Sequence, residues 1–380
     1  MEGRSRQPAS SDDRPHAQGE PAVWSNAAMD RVRTDAGARP PRATIIDVAR
    51  EAAVSPATVS RVLTGTKPVS ADLEQRVRAA VNRLGYRPNP AAQGLLRGAT
   101  HAVGVVVPDV GNPYFAEVLK GVTNAAEESD FRTLVADTGE KGGAEHDAAL
   151  ELSRWADGVV LCSPRMPQRE LAKLAQAVPH LVCVNRVGRG GQVPAVVVDF
   201  EAGMAAICRH LRELGHRRIA YLRGPARAWS ERARQRALRA ASGPDFEVLQ
   251  VPCGSSSADG RRAADAALAT RATAVMAFSD YVALGVLARF DELGVSVPGD
   301  VSLTGFDDIA LSELLRPRLT TVKVSKQDLG RRAWELFAAS GDVGGGESGR
   351  VVTAIPELIT RDSTAPPATA TTPLPKTAKA

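Results

Sequence analysis

Thr44-Ile-Ile-Asp-Val-Ala-Arg-Glu-Ala-Ala-Val-Ser-Pro-Ala-Thr-Val-Ser-Arg-Val-Leu63 carries two short helical periods separated by a tight turn. Ile45, Val48, Ala49 and Ala52 recur at helical spacing, and Thr44 with Asp47 three residues on spells a capping box, so a helix starts here. After the turn Ala53-Val54, Ser55 is a second N-cap with Pro56 at the first helical position, and Val54 can staple onto Val59; this helix runs to about Leu63. Thr64-Gly-Thr-Lys-Pro68 breaks the pattern. Ser70 then caps a third helix, whose Leu73, Val77, Ala80, Val81 and Leu84 share a face and which Gly85 ends. Two short helices closed by a third make a helix-turn-helix, which lays its second helix in the DNA major groove. An ordinary three-helix bundle is the alternative.

Charge separates the two readings. Residues 44–98 hold eight Lys or Arg against four acids, residues 1–43 hold seven Arg against six acids, and the remaining 33 basic and 33 acidic residues cancel. A compact basic module on a neutral body points to a nucleic-acid contact, which a plain bundle does not explain. At 380 residues the chain exceeds the roughly 100–200 residues of one domain, so two or three domains are expected. The longest apolar runs, such as Ala102–Pro108, are strand-sized, and Met1–Pro41 lacks the apolar core of a secretory signal. A cytoplasmic protein with no membrane segment is expected. Residues 1–43 show no hydrophobic period and should be disordered, with Met29 as a possible alternative translation start. Cys162, Cys183, Cys208 and Cys253 form no C-x-x-C pair and no metal spacing, so they are expected as reduced core thiols.

After Arg97 the rhythm changes to strand followed by helix. Strands at Ala102–Val107, Arg132–Ala136, Gly158–Cys162, Ala195–Val198, Arg218–Leu222, Glu247–Val251, Thr273–Ala277 and Val301–Thr304 alternate with helical stretches such as Pro113–Glu128, Ala144–Arg154 and Gln168–Ala177. This predicts a doubly wound parallel α/β core with about twice the strands of one such sheet, hence two lobes. Ligands bind outside the carboxyl ends of such strands, so the cleft between lobes is the expected site. The Pro/Thr-rich stretch after Thr364 has no heptads and cannot form a coiled-coil tetramerisation helix.

The blocks Ala43–Ala49, Val54–Leu63, Val69-Ser70 and Leu84–Asn89 closely resemble the lactose-repressor/galactose-repressor (LacI/GalR) family of bacterial transcription regulators. The resemblance continues through Asn112-Pro-Tyr-Phe115, Leu214–Ile219, Ser279–Gly285, Val297–Asp308, Leu319–Val322 and Pro356–Arg361, covering about residues 43–364. It implies an all-α DNA-binding domain at 44–88, a hinge helix and linker at 89–100, and a two-lobed core at 101–363 shaped like periplasmic sugar-binding proteins. Family cores exchange chain segments, so the lobes should be about 101–199 plus 324–345, and 200–323 plus 346–363, followed by a disordered tail at 364–380. A homodimer on double-stranded operator DNA, a sugar-like small-molecule effector and no cofactor are implied.

For DNA, the resemblance nominates Thr44, Ser55, Pro56, Ala57, Thr58, Ser60, Arg61, Asn89 and Leu95. Ser55 should aim backbone donors at a phosphate. Pro56 and Ala57 fall where the family discriminates operators, and neither side chain can donate or accept a hydrogen bond, leaving apolar contact such as a thymine methyl. Arg61 can fork onto guanine O6 and N7 or touch phosphate. Asn89-Pro90 should cap the hinge helix Ala91–Leu96, with Leu95 as the family's minor-groove wedge. Gly94, a weak helix former, and Leu96, where a basic residue is common, depart from the pattern.

For the effector, the resemblance nominates Asn112, Tyr114, Phe115, Asn185, Asp199, Arg234, Ser279, Asp280 and Asp307. Arg234 and Asp307 can each bond vicinal hydroxyls, and Tyr114 or Phe115 can pack on a sugar face. Asp280 begins a helical pattern and is equally readable as an N-cap. Phe200 stands where Asn is frequent, Ser255 where an aromatic stacks, and Ala237-Leu238 where Gly-Phe is usual. The sequence has no Walker loop, G-x-S-x-G, H-E-x-x-H or strand–G-x-G-x-x-G–helix, so neither an enzyme nor a metal site is expected. The expected activity is that of a sequence-specific transcription regulator, a repressor before an activator, with a non-sugar effector as the alternative.

Overall fold

The computed structural model describes residues 43–64, 68–87, 99–141, 143–340 and 349–368. They fall into two units, one before residue 90 and one after it.

The first unit is three helices, α1 (Ile45–Glu51), α2 (Pro56–Thr64) and α3 (Ala71–Leu84). At the start of α1, Thr44 Oγ1 accepts from Asp47 N at 3.3 Å while Asp47 Oδ2 accepts from Thr44 N at 2.9 Å, the expected capping box. Those bonds hold the Asp47 carboxyl below its ordinary range. Ala53 makes the tight turn with φ 52°, and Arg76 of α3 donates to its carbonyl and to that of Ala52. Ser55 Oγ accepts from Thr58 N at 3.1 Å and starts α2. Val48, Ala49, Ala52, Val59, Val62, Val77 and Ala80 form the core, with Val54 packed on it as the staple requires. Ser70 flanks α3 as expected, but its hydroxyl makes no capping bond; Gly85 at φ 58° ends the helix.

The second unit contains two parallel sheets. The first has the order β11-β5-β4-β3-β1-β2, with β1 Ala102–Val107, β2 Arg132–Asp137, β3 Gly158–Cys162, β4 Leu181–Val184, β5 Ala195–Val198 and β11 Val351–Ala354. Its inner strands β1, β3, β4 and β5 are buried along their whole length, which is why they read as unbroken apolar runs, whereas the edges β2 and β11 are partly exposed. Helices α4 (Pro113–Glu128) and α11 (Lys326–Ser340) pack on this lobe, and α5 (Ala144–Leu152) and α6 (Gln168–Ala177) belong to it. The second sheet runs β7-β6-β8-β9, with β6 Arg218–Arg223, β7 Glu247–Pro252, β8 Ala274–Met276 and β9 Ser302–Thr304. Helices α7 (Phe200–Glu213), α8 (Trp229–Ala241), α9 (Ser257–Ala269) and α10 (Asp280–Glu292) complete that lobe, and β10 (Thr321–Lys323) pairs antiparallel with β12 (Glu357–Ile359) beside it.

Each lobe is clasped by one helix crossing with glycines in both partners. A Cβ on Gly121 of α4 would overlap the Gln327 carbonyl of α11, and one on Gly330 would overlap the Val118 carbonyl. In the second lobe Gly260 of α9 and Gly285 of α10 stand likewise against the carbonyls of Val282 and Ser257. The backbones approach so closely that only hydrogen fits.

The chain passes between the lobes three times: from β5 to α7, from β10 to α11 and from β11 to β12. The last passage falls later than the resemblance implies. Residues 346–363 were expected together in the second lobe, but β11 pairs in parallel with β5, so the first lobe holds the chain through Ala354. The tail boundary moves too. Thr364 and Ala365 are held, Ala365 by Ser302 Oγ and by His216 Nε2 at 2.9 Å, Thr364 by His210 and Thr320. These are backbone and hydroxyl bonds, which leave no hydrophobic period to read. The four cysteines are free, and three are buried; burial pushes the Cys162 and Cys183 thiols up to about 12. The hinge segment with Asn89, Gly94, Leu95 and Leu96, residues 1–42 and the tail from 369 lie outside the described residues. No helix among the described residues is long and apolar enough to cross a membrane.

Candidate functional sites

In the first unit, α2 turns Val59 and Val62 into the core and leaves Pro56, Ala57 and Arg61 exposed on the opposite side. Ser55 is exposed, Thr58 and Ser60 are half-buried, and the Ser55 and Thr58 hydroxyls bond each other at 3.0 Å. Thr44, also exposed, is committed to its capping box. The surface around α2 thus offers a helix N-terminus, two apolar side chains and a free-standing guanidinium one turn on, a combination suited to a phosphate and base edges.

In the second unit a small cavity opens between the lobes. Asn112, Tyr114, Phe115 and Asn185 line it from the first lobe, and Arg234, Ser279 and Asp307 from the second. Two nominated residues do not reach it. Asp199 caps α7, accepting from Ala202 N at 2.9 Å. Asp280, fully buried, accepts from Ile309 N at 3.0 Å, Ser312 Oγ at 2.7 Å and Thr321 Oγ1 at 2.5 Å, and it is Ser279 that caps α10. Asp280 is therefore a structural anchor for the loop after β9 and not the N-cap.

Within the cavity the second lobe supplies charge. Arg234 is 2 % exposed, its guanidinium carbon 4.3–4.5 Å from the ring centres of Phe200, Phe278 and Phe306. These rings hold the cation by its faces, while Nε and Nη1 have no hydrogen-bond partner. Asp307 stands at φ 114°, a strained position for a residue with a side chain. Burial, with the nearby Asp280 carboxylate adding to it, pushes its carboxyl up to about 8 against the opposing pull of Arg234 and Lys326. The loop is pinned by Lys326 of α11, whose Nζ donates to the carbonyls of Asp307 and Asp308, both at 2.7 Å. Asp307 is thereby tied to a helix of the other lobe.

The nominated polar residues lining the cavity from the first lobe are neutral donors and acceptors. Asn185, at φ 57°, donates to Tyr114 Oη at 2.6 Å and accepts from Val198 N at 3.3 Å. Burial holds the Tyr114 phenol well above its ordinary range, so it remains a hydroxyl. Asn112 caps α4 at the cavity wall.

Sequence reasoning missed Ser163, Arg165, Ala228, Ser230 and Phe278, which also line the cavity. Ser163 follows β3 and Phe278 follows β8; applying the strand-end rule to every strand would have found them. Two of the three departures from the pattern acquire roles. Phe200 walls Arg234, and Ser255 Oγ reaches across the cleft to Glu140 at 3.0 Å, which also bonds Arg165. No cluster of potential metal ligands occurs among the described residues.

Comparison with known proteins identifies the family. Residues 44–89 match the model of bacterial regulatory proteins of the lacI family, and residues 208–364 match a periplasmic binding protein-like domain. The chain is 33 % identical to the transcriptional regulator GalR of Escherichia coli K12 over 79 % of this chain and 90 % of that one. Among solved structures it resembles the lac repressor dimer bound to operator and the anti-inducer ONPF (TM-score 0.73, 25 % identity, 85 % of this chain and 99 % of that one). It also resembles a complex of the transcriptional regulator CelR with cellobiose (TM-score 0.60, 28 % identity, 86 % and 100 %). The chain belongs to the lacI family of bacterial regulatory proteins and is a DNA-binding transcriptional regulator.

Proposed function

We propose that this regulator is a cytoplasmic homodimeric repressor that grips a pseudo-palindromic operator and lets go when a hydroxyl-rich, sugar-like molecule enters the cleft. The observation that carries the reading is the pairing of Arg234, with two unpartnered buried nitrogens, and Asp307 on one lobe with Asn185 and Tyr114 on the other. Vicinal hydroxyls both donate and accept, which satisfies a guanidinium and a carboxyl at once. Because Lys326 joins the Asp307 loop to α11, ionising and engaging Asp307 pulls on a passage between the lobes. Support for dimer and operator comes from the lac repressor structure, a dimer on operator; support for a sugar comes from the CelR complex with cellobiose.

On DNA, Ser55, Pro56, Ala57, Thr58, Ser60 and Arg61, with Thr44, form the reading surface, and Asn89 and Leu95 act in the hinge at a central C·G step. The test is fluorescence anisotropy on palindromes that vary the half-site. Arg61→Ala should cost about 1–3 kcal/mol on the preferred sequence and relax one base per half-site. Equal losses on preferred and random DNA would confine Arg61 to phosphate, and absence of any preferred sequence would overturn the reading.

A further inference from the structure

Next to the cleft a groove of about 1010 Å³ is walled by five arginines, Arg165, Arg186 and Arg189 from the first lobe and Arg227 and Arg232 from the second, with Trp229 among them. Their neutralisation is uneven. Arg165 bonds Glu140 at 2.8 Å, and the buried Arg186 is spent on the carbonyls of Pro164 and Met166 at 3.1 and 3.0 Å. Among the described residues no carboxylate pairs with Arg189, Arg227 or Arg232, all three exposed. Arg165 Nε is buried without a hydrogen-bond partner, and Arg165 lines both the groove and the cleft. Burial holds the Arg186 guanidinium below its ordinary range, with the neighbouring Arg232 cation adding a smaller push in the same direction.

We propose that this groove is a second effector site, for a small multivalent anion of the phosphoryl class, which bridges the two lobes. Guanidinium forks match tetrahedral oxyanions bidentately. The rims stand on different lobes, so with the groove empty their like charges oppose closure, and a dianion between them turns repulsion into attraction. Trp229 connects the two sites, its ring lying 6.2 Å from Phe200, which walls Arg234. The phosphoryl group could be a free anion or the charged end of a sugar phosphate whose polyol fills the cleft; only the second source rests on the sugar reading above.

The test is calorimetry of the full chain at low salt with inorganic pyrophosphate, with glucose phosphate and with glucose. Pyrophosphate should bind, and Arg189→Ala and Arg232→Ala, one from each rim, should each weaken it by about tenfold, while Arg132→Ala at the sheet edge should not. Glucose phosphate binding more tightly than pyrophosphate through the same arginines would identify the sugar-phosphate source, and pyrophosphate alone binding would identify the free anion. Failure of both anions to bind, loss from one rim only, equal loss in Arg132→Ala, or displacement of pyrophosphate by random-sequence DNA would overturn the proposal. Operator affinity without anion should be unchanged in both groove variants, so the outcome is separate from that of the repressor reading.

Discussion

Asp280 and Asp307 occupy the same corner of the second lobe, both buried, and burial raises both carboxyls. Their surroundings differ in one respect. Asp280 accepts from a backbone amide and two hydroxyls, which fixes the loop carrying residues 307–312 against α10. Asp307 lines the cavity with Arg234, its side chain given no such set of donors. A buried carboxyl with its acceptors filled is part of the frame, whereas one left wanting donors at a strained backbone position keeps its oxygens open to other partners, as the proposed effector role requires.

The contrast can be broken at several strengths. Asp280→Ala leaves three buried donors without an acceptor and should lower stability by about 3 kcal/mol, read as a drop in the urea midpoint; a drop no larger than that of an average surface substitution would put Asp280 outside the frame. Asp307→Asn should keep operator binding while weakening effector binding by about 2 kcal/mol, giving a repressor that ignores its inducer. It also has a pH signature. An acid whose folded pKa is raised binds more protons folded than unfolded, so the wild type should lose stability as pH rises from its ordinary 3.8 to about 8. The Asn variant escapes that loss, and parallel stability curves for the two proteins would contradict the burial of Asp307. Thr321→Val removes one of the three donors to Asp280 and should cost about 1 kcal/mol, with effector binding unchanged, as measured by the same denaturation and titration.

Much of this was legible from residues alone. Thr44 with Asp47, Ser55-Pro56 and Gly85 marked helix ends by local chemistry, and β1, β3 and β5 announced themselves as apolar runs because both their faces are covered. The resemblance supplied seven of the cavity's residues. What escaped was non-local. β10, β11 and β12 are strands of three or four residues whose partners lie far off in sequence, as β11 is paired to β5. Asp280 and Asp307 are indistinguishable as letters; only the positions of Ser312 and Thr321 in space assign one to the frame. The arginine groove gathers residues from two separate stretches, so their clustering dissolves in a charge count along the chain.

The pairing of β11 with β5 has a consequence for how the protein is made. The first sheet cannot close its edge until about 150 residues beyond β5 have been added, which at about 5–20 residues per second takes on the order of ten seconds. Meanwhile the intervening segment can assemble β6 to β9, so the second lobe has the opportunity to mature before the first. During that interval the β5 edge stands open, a template for stray strands. A ribosome that stops after residue 340 therefore releases a chain with its α4–α11 crossing made and its sheet unfinished, the form in which this regulator would be most exposed to aggregation and to cellular proteases.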